Sequence, residues 1–303
     1  MRLAPVRLVW IALPLTAGPA ASHALDHWGT APRVLAIAFL WLAWGAGLVA
    51  LLAPRPSGLT VVRVVAPAFV VLAIAAAVLD DASAVTAVGA LAGCGAAAIA
   101  VADPAVALAS ANGVAYGNER RHPLRTPPAL YLAPLPVARA LAAAGPVTGP
   151  LLLAEGSIAW GLAALAVGFP LAVLAFRSLQ VLARRWLVVV PAGLVLVDTM
   201  TLSDPVLVTR RQLRQLRARP GTAPTDPGAV DLRLGATLGT VEIVLDGPLD
   251  VVRAGLRSRP DETLRVSSIV VAVAARTALL AVVAARARAG QAAMPPPSST
   301  SPS

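Results

Sequence analysis

A chain of 303 residues in which 57% are hydrophobic and only 13% charged has too little polar surface to cover itself in water, since soluble domains carry roughly 25% charged residues. The mean hydropathy of +0.76 excludes an ordinary soluble enzyme and leaves lipid as the solvent for the excess. The net charge of +10 rests on arginine alone; beside long apolar runs it serves orientation and anionic lipid, so membrane lipid is an expected partner and nucleic acid is not.

Taken in chain order, Arg2 and Arg7 precede an apolar run from Leu8 to Ala20. A signal peptide has this form, but further spans follow, and the run reads as a first span near 6–22. The next apolar segments, near 34–53, 59–79 and 84–102, each match the ~20 residues that a bilayer core requires. Pro54 to Gly58, Asp80 with Asp81, and Asp103 with Pro104 interrupt them. Cys94, the single cysteine, lies in the fourth span and reads as a small buried hydrophobe; it excludes an internal disulfide. Residues 103–133 hold turn formers and charge and read as a loop. The long apolar stretch that follows divides at Glu155, Gly156 and Ser157 into spans near 134–154 and 158–176. Pro134, Pro136, Pro146 and Pro150 predict a kinked or broken fifth span.

Charge supports six spans. With the N-terminus inside, Arg2, Arg7, Arg55, Arg63, Arg120, Arg121, Arg125, Arg139, Arg177, Arg184 and Arg185 fall on the cytoplasmic side, and only Arg33 falls outside. The outer connections carry Asp26, Asp80, Asp81 and Glu155. This is the positive-inside pattern, and it places both termini in the cytoplasm of a multipass protein of the cell membrane.

Residues 178–290 read as a small cytoplasmic α+β domain. Arg184 to Asp198 reads as two short β-runs joined at Pro191-Ala-Gly193, and Pro205 to Thr209 reads as a third strand. Leu213 and Leu216 stand at helical spacing in the basic segment 210–219. Val230 to Leu234 and Thr240 to Leu245 suggest a hairpin around Gly235 to Gly239. Leu264 to Val273 reads as a strand and Thr277 to Ala289 as a closing helix. The competing reading, a seventh span over 266–284, has Arg276 at its centre, at a cost of roughly 2.5–3.5 kcal/mol. Residues 291–303 read as a disordered tail.

Tyr116-Gly-Asn-Glu-Arg-Arg-His-Pro-Leu-Arg-Thr-Pro127 followed by a hydrophobic hairpin, together with Arg185-Trp-Leu-Val-Val-Val-Pro-Ala-Gly-Leu-Val-Leu-Val-Asp198, resembles a group of uncharacterised multipass membrane proteins of high-GC Gram-positive bacteria. That resemblance implies no activity, ligand or catalytic residue. The strand-then-helix order of the C-terminal region also resembles bacterial pleckstrin-homology-like modules, which implies binding or assembly rather than catalysis.

Few side chains suggest chemistry. His23, Asp26 and His27 follow the first span, and a helix would put both imidazoles on one face as metal ligands. Gly18, Pro19 and Gly29 argue instead for a polar interfacial loop. Asp80 and Asp81 diverge by about 100° on a helix and mark a span end rather than one cation site. Glu119, Arg120, Arg121 and Arg125, with His122, form the densest polar cluster near the membrane, and it could dock lipid phosphate or the C-terminal domain. Arg139 is a charge inside a span, the usual sign of function there, although it is within snorkelling reach of the cytoplasmic end. No nucleophile elbow, phosphate-binding glycine loop or zinc-protease helix is present, and no cofactor is expected. These features favour a non-enzymatic scaffold or regulatory component that works with other membrane or cytoplasmic proteins. A transporter or channel subunit, and a membrane-embedded enzyme, are the alternatives.

Overall fold

The computed structural model describes residues 3–79, 83–255 and 261–292. Asp80, Asp81 and the expected tail from 293 onward lie outside the described residues. The helices and first strand run α1 (Ala4–Ala24), α2 (Thr30–Leu52), α3 (Pro56–Leu79), α4 (Ala84–Ala102), α5 (Pro104–Asn112), β1 (Arg120–Pro123), α6 (Pro134–Ala154) and α7 (Ile158–Ala183). Six of the helices, all but α5, are long and apolar enough to cross a membrane. They leave large apolar side chains such as Leu15, Leu79, Val85, Ile99 and Trp160 uncovered. Only hydrocarbon can solvate such a surface without penalty, so the chain is a multipass membrane protein.

α3 is the hub of the bundle and touches α1, α2, α4, α6 and α7. Close approaches are made by small residues. A Cβ on Gly145 would lie 2.4 Å from the Gly168 oxygen, and one on Gly149 would lie 2.6 Å from Leu165 Cγ. This small-xxx-small stripe lets α6 and α7 pack backbone against backbone, the source of helix affinity where lipid removes the hydrophobic drive. Between α1 and α2, Trp10 Nε1 donates to the Trp44 oxygen and Trp44 Nε1 to the Trp10 oxygen, both at 2.9 Å. The Trp10 ring fills the space beside Gly47, where a Cβ would stand 2.0 Å from it. Arg7 Nε donates to the Leu51 oxygen, so the N-terminus of α1 and the α2–α3 linker share one face of the bundle. Of the two expectations, kinked or broken, the break is absent: α6 runs as one continuous helix with Pro146 and Pro150 inside it.

The same face carries a β domain built from β1 and from β2 (Trp186–Val190), β3 (Gly193–Val197), β4 (Val206–Thr209), β5 (Leu213–Ala218), β6 (Ala229–Asp231), β7 (Thr240–Arg253) and β8 (Glu262–Ala272), closed by α8 (Arg276–Ala292). One antiparallel sheet has the order β1-β2-β3-β4 and the other β5-β7-β8-β6. Leu187, Leu194, Leu196, Val208, Val241, Ile243, Ile269, Val271 and Leu279 of α8 fill the shared core. This is the α-helical membrane domain followed by a small α+β domain that composition and patterning imply, with a strand and a helix over 262–292 where a seventh span was the alternative.

Four local expectations are corrected. Residues 103–133 are not a loop, because they contain α5, β1 and a short 3-10 helix at Pro128–Tyr131. Within the segment 210–219, Leu213–Ala218 is a strand. Its bulge between Leu213 and Gln215 shifts the pleat by one residue, so Leu213 and Leu216 both pack on the core at a spacing that mimics a helix. β6 makes no hairpin with β7, since β8 lies between them and β6 pairs parallel to it. Finally, α7 continues to Ala183, past the expected domain start at 178.

Candidate functional site

β1 is a strand without an apolar side chain at Arg120, Arg121 or His122, and long-range bonds hold it in place. Asn112, the last residue of α5, accepts from the Arg121 backbone N–H at 3.0 Å and donates to the Arg121 oxygen at 2.8 Å. The amide thus pairs with the strand edge as another strand would. Glu119 accepts from the Tyr116 backbone and from the Arg121 guanidinium; these bonds hold its carboxyl below the usual carboxylate range, the backbone bond most of all. Arg121 also lies over the Trp186 ring, 4.7 Å from its centroid. On the other side β1 pairs antiparallel with β2, Arg121 opposite Val188 and His122 opposite Leu187. Arg125 follows, its backbone N–H donating to Ala272 of β8. The segment from Glu119 to Arg125 is therefore part of the β domain itself.

Two buried polar groups sit beside this seam. Arg185 and Asp198, both 2% exposed, form a forked ion pair. Arg185 Nε and Nη2 donate to the two Asp198 oxygens at 2.7 Å each, and Nη1 donates to the Arg125 oxygen. Asp198 also accepts from Met200 N and Thr201 Oγ1. Every donor and acceptor of the pair that matters is satisfied, the condition under which a buried pair is tolerated. His122 differs, because both ring nitrogens are buried without a partner. Burial, helped by the nearby Arg286 charge, lowers its pKa from 6.5 to about 4, so the imidazole is neutral at physiological pH.

Between bundle and β domain lies a cavity of about 290 Å³. Its floor is apolar, with Leu59, Val64, Leu135, Leu179 and Leu182, and its walls carry Arg63 of α3, Arg125, Arg139 of α6, Arg185, Thr126 and Tyr131. Arg185 is committed to Asp198. Among the described residues no carboxylate faces Arg63 or Arg139; the charged or titratable side chain beside both is Tyr131, and they also face each other. Arg125 Nε is buried and has no hydrogen-bond partner.

The sequence-derived candidates thus separate. Arg125 and Arg139 both line the cavity; Glu119 and Arg121 bind each other; Arg120 is exposed, donating to the Glu119 oxygen. At the far end of α1, Asp26 pairs with Arg33 at 2.7 Å. Among the described residues no three His, Cys, Asp or Glu side chains stand close enough to hold a metal, so His23, Asp26 and His27 are not brought together as ligands. Sequence reasoning missed Arg63 and Tyr131. The available signal was depth: Arg63 and Arg139 lie seven and five residues from the domain-bearing ends of their helices, roughly 10 and 7 Å at 1.5 Å per residue. Two arginines at one level on neighbouring helices are placed to share a site.

Comparison with known proteins found no match: no family model, no curated protein and no solved structure matches the chain.

Proposed function

We propose that the protein is a scaffold or regulatory component at the inner face of the cell membrane, with its β domain and both termini in the cytoplasm. The observation that carries this reading is the shared construction of the β domain. Its first strand comes from the connection between α4 and α6 and the others follow α7. The domain is therefore attached to the bundle by three chain crossings and is held at a fixed height and angle, as an assembly platform requires. Charge supports the orientation: Arg55, Arg120, Arg121, Arg125, Arg184 and Arg185 lie on the domain-bearing side, and Asp26 and Glu155 lie in connections on the other. The resemblance of the C-terminal strand-then-helix order in the sequence to pleckstrin-homology-like modules, an analogy of fold and not of site, accords with the same reading.

A photo-reactive residue in place of Arg214, which is exposed on the edge strand β5, tests the reading in intact cells. A discrete protein adduct, formed in a complex larger than the chain alone, is the expected outcome. Absence of any adduct there and at Arg211, with the protein migrating as an isolated chain from gently solubilised membranes, would remove the case for a scaffold.

A further inference from the structure

We propose that the cavity between bundle and β domain binds a phosphate group, held by Arg63, Arg125 and Arg139. The guanidinium groups of Arg63 and Arg139, from two helices, share one small space that Arg125 also lines, with no carboxylate among the described residues to balance them. A partly buried charge without a partner is costly, and like charges sharing a cavity of low dielectric raise that cost. Arg185, in the same wall, shows the contrast, because its charge is matched by Asp198 at 2.7 Å. The cavity has the donors and the charge for an anion.

The chemistry favours phosphate over carboxylate. Each guanidinium offers a planar fork of donors suited to bidentate contact. Two forks on two helices, with Arg125 beside them, supply more donors and positive charge than one carboxylate matches, and a phosphate monoester presents three oxygens and about −1.5 to −2 charge. Thr126 and Tyr131 add hydroxyls to the wall. The volume of about 290 Å³ is at the small end of ligand pockets, roughly 300–1,000 Å³, and suits a headgroup rather than a large cofactor.

The phosphate can belong to a lipid or be free in solution. Arg63 and Arg139 stand about 7–10 Å inside the helix ends, near the boundary of headgroup and acyl chain, and Leu135, Leu179 and Leu182 line the same cavity. An anionic lipid with an uncapped phosphate matches both the polar wall and the apolar floor. The lipid source shares the orientation proposed above, whereas binding of a free anion does not depend on it.

The test uses the full chain in nanodiscs of phosphatidylcholine, with phosphatidic acid added to the lipid in one arm and inorganic phosphate added to the buffer in the other. Retained lipid is counted by native mass spectrometry, and melting temperature is read in each arm. The wild-type chain is expected to retain phosphatidic acid and to melt higher with it. Arg63→Gln/Arg139→Gln should lose that retention at least about tenfold and show no shift, while Arg120→Gln keeps both. The double variant should itself melt at or above the ligand-free wild type, because it no longer carries unpaired charges; this separates lost binding from lost folding. A shift with inorganic phosphate alone assigns a soluble anion and sustains the proposal. A wild-type chain indifferent to both additions, or a folded double variant that binds like wild type, overturns it. If the double variant does not fold, the wild-type arms still decide.

Discussion

The Arg185–Asp198 pair provides a severe test of how the β domain is held together. Replacing Asp198 by Asn keeps the shape of the side chain but removes its charge, and it puts an amide NH₂ where one oxygen accepted. The Arg185 guanidinium, 2% exposed, then loses its counter-charge and at least one of two 2.7 Å bonds. The two further bonds that Asp198 accepts, from Met200 N and Thr201 Oγ1, are left competing for what remains. Breaking one half of a buried pair costs about 3–5 kcal/mol, a large part of the roughly 5–15 kcal/mol that stabilises a domain. At 1.4 kcal/mol per decade this is roughly a hundred- to several-thousand-fold rise in local opening. Amide hydrogen exchange of residues 186–197 in detergent, read by mass spectrometry, reports that opening without interference from the helices. The double variant Arg185→Met/Asp198→Leu removes both charges and should recover most of the protection, because a matched apolar pair is often neutral or stabilising. Exchange in Asp198→Asn within about threefold of wild type, the range of an ordinary surface substitution, would refute the reasoning.

His122 gives the domain a pH dependence. Its folded pKa of about 4 lies below the ordinary 6.5, so above pH ~6.5 both folded and unfolded chains are neutral there and no penalty applies. As pH falls from 6.5 towards 4 the unfolded chain takes up the proton first, and stability is lost by up to about 3 kcal/mol. The melting temperature of His122→Leu should fall less than that of wild type over this window; parallel curves would show that the imidazole titrates normally. In the bundle, Gly145→Val drives a branched side chain into the Gly168 oxygen, 2.4 Å from where its Cβ must stand. A loss of about 1–3 kcal/mol is expected, visible as a lower melting temperature in detergent, and an unchanged value would mean that α6 and α7 do not pack backbone to backbone. Gly47→Ala should act similarly on α1 and α2 by displacing the Trp10 ring, detected as altered tryptophan fluorescence.

Hydropathy and charge made the membrane half of the molecule legible, because a span must be long, apolar and uncharged, and each requirement can be read from composition. The Leu-Val-Val-Val-Pro-Ala-Gly hairpin was equally plain, with turn residues between β-branched runs. β1 was not legible. Arg120, Arg121 and His122 carry no strand signal; their pairing depends on Asn112 on one side and β2 on the other, neither close enough in sequence to show it. The bulge in β5 disguised a strand as a helix, and the parallel pairing of β6 with β8 depends on a strand more than thirty residues downstream. The cavity was half visible. Arg125 and Arg139 attracted attention singly, but only the packing of α3 against α6 brings Arg63 to the same space.

The central structural claim is that the connection between α4 and α6 and the chain after α7 form one sheet on one face of the membrane. Cysteines replacing Arg121 and Val188, register partners in β1 and β2, in a chain with Cys94→Ala, test it directly in native membranes. Mild oxidation should join them within the chain, shown by a faster-migrating species that reductant reverses. Failure of the two thiols to join, with each labelled by reagents from opposite sides of the membrane, would contradict both the shared sheet and the six-span threading.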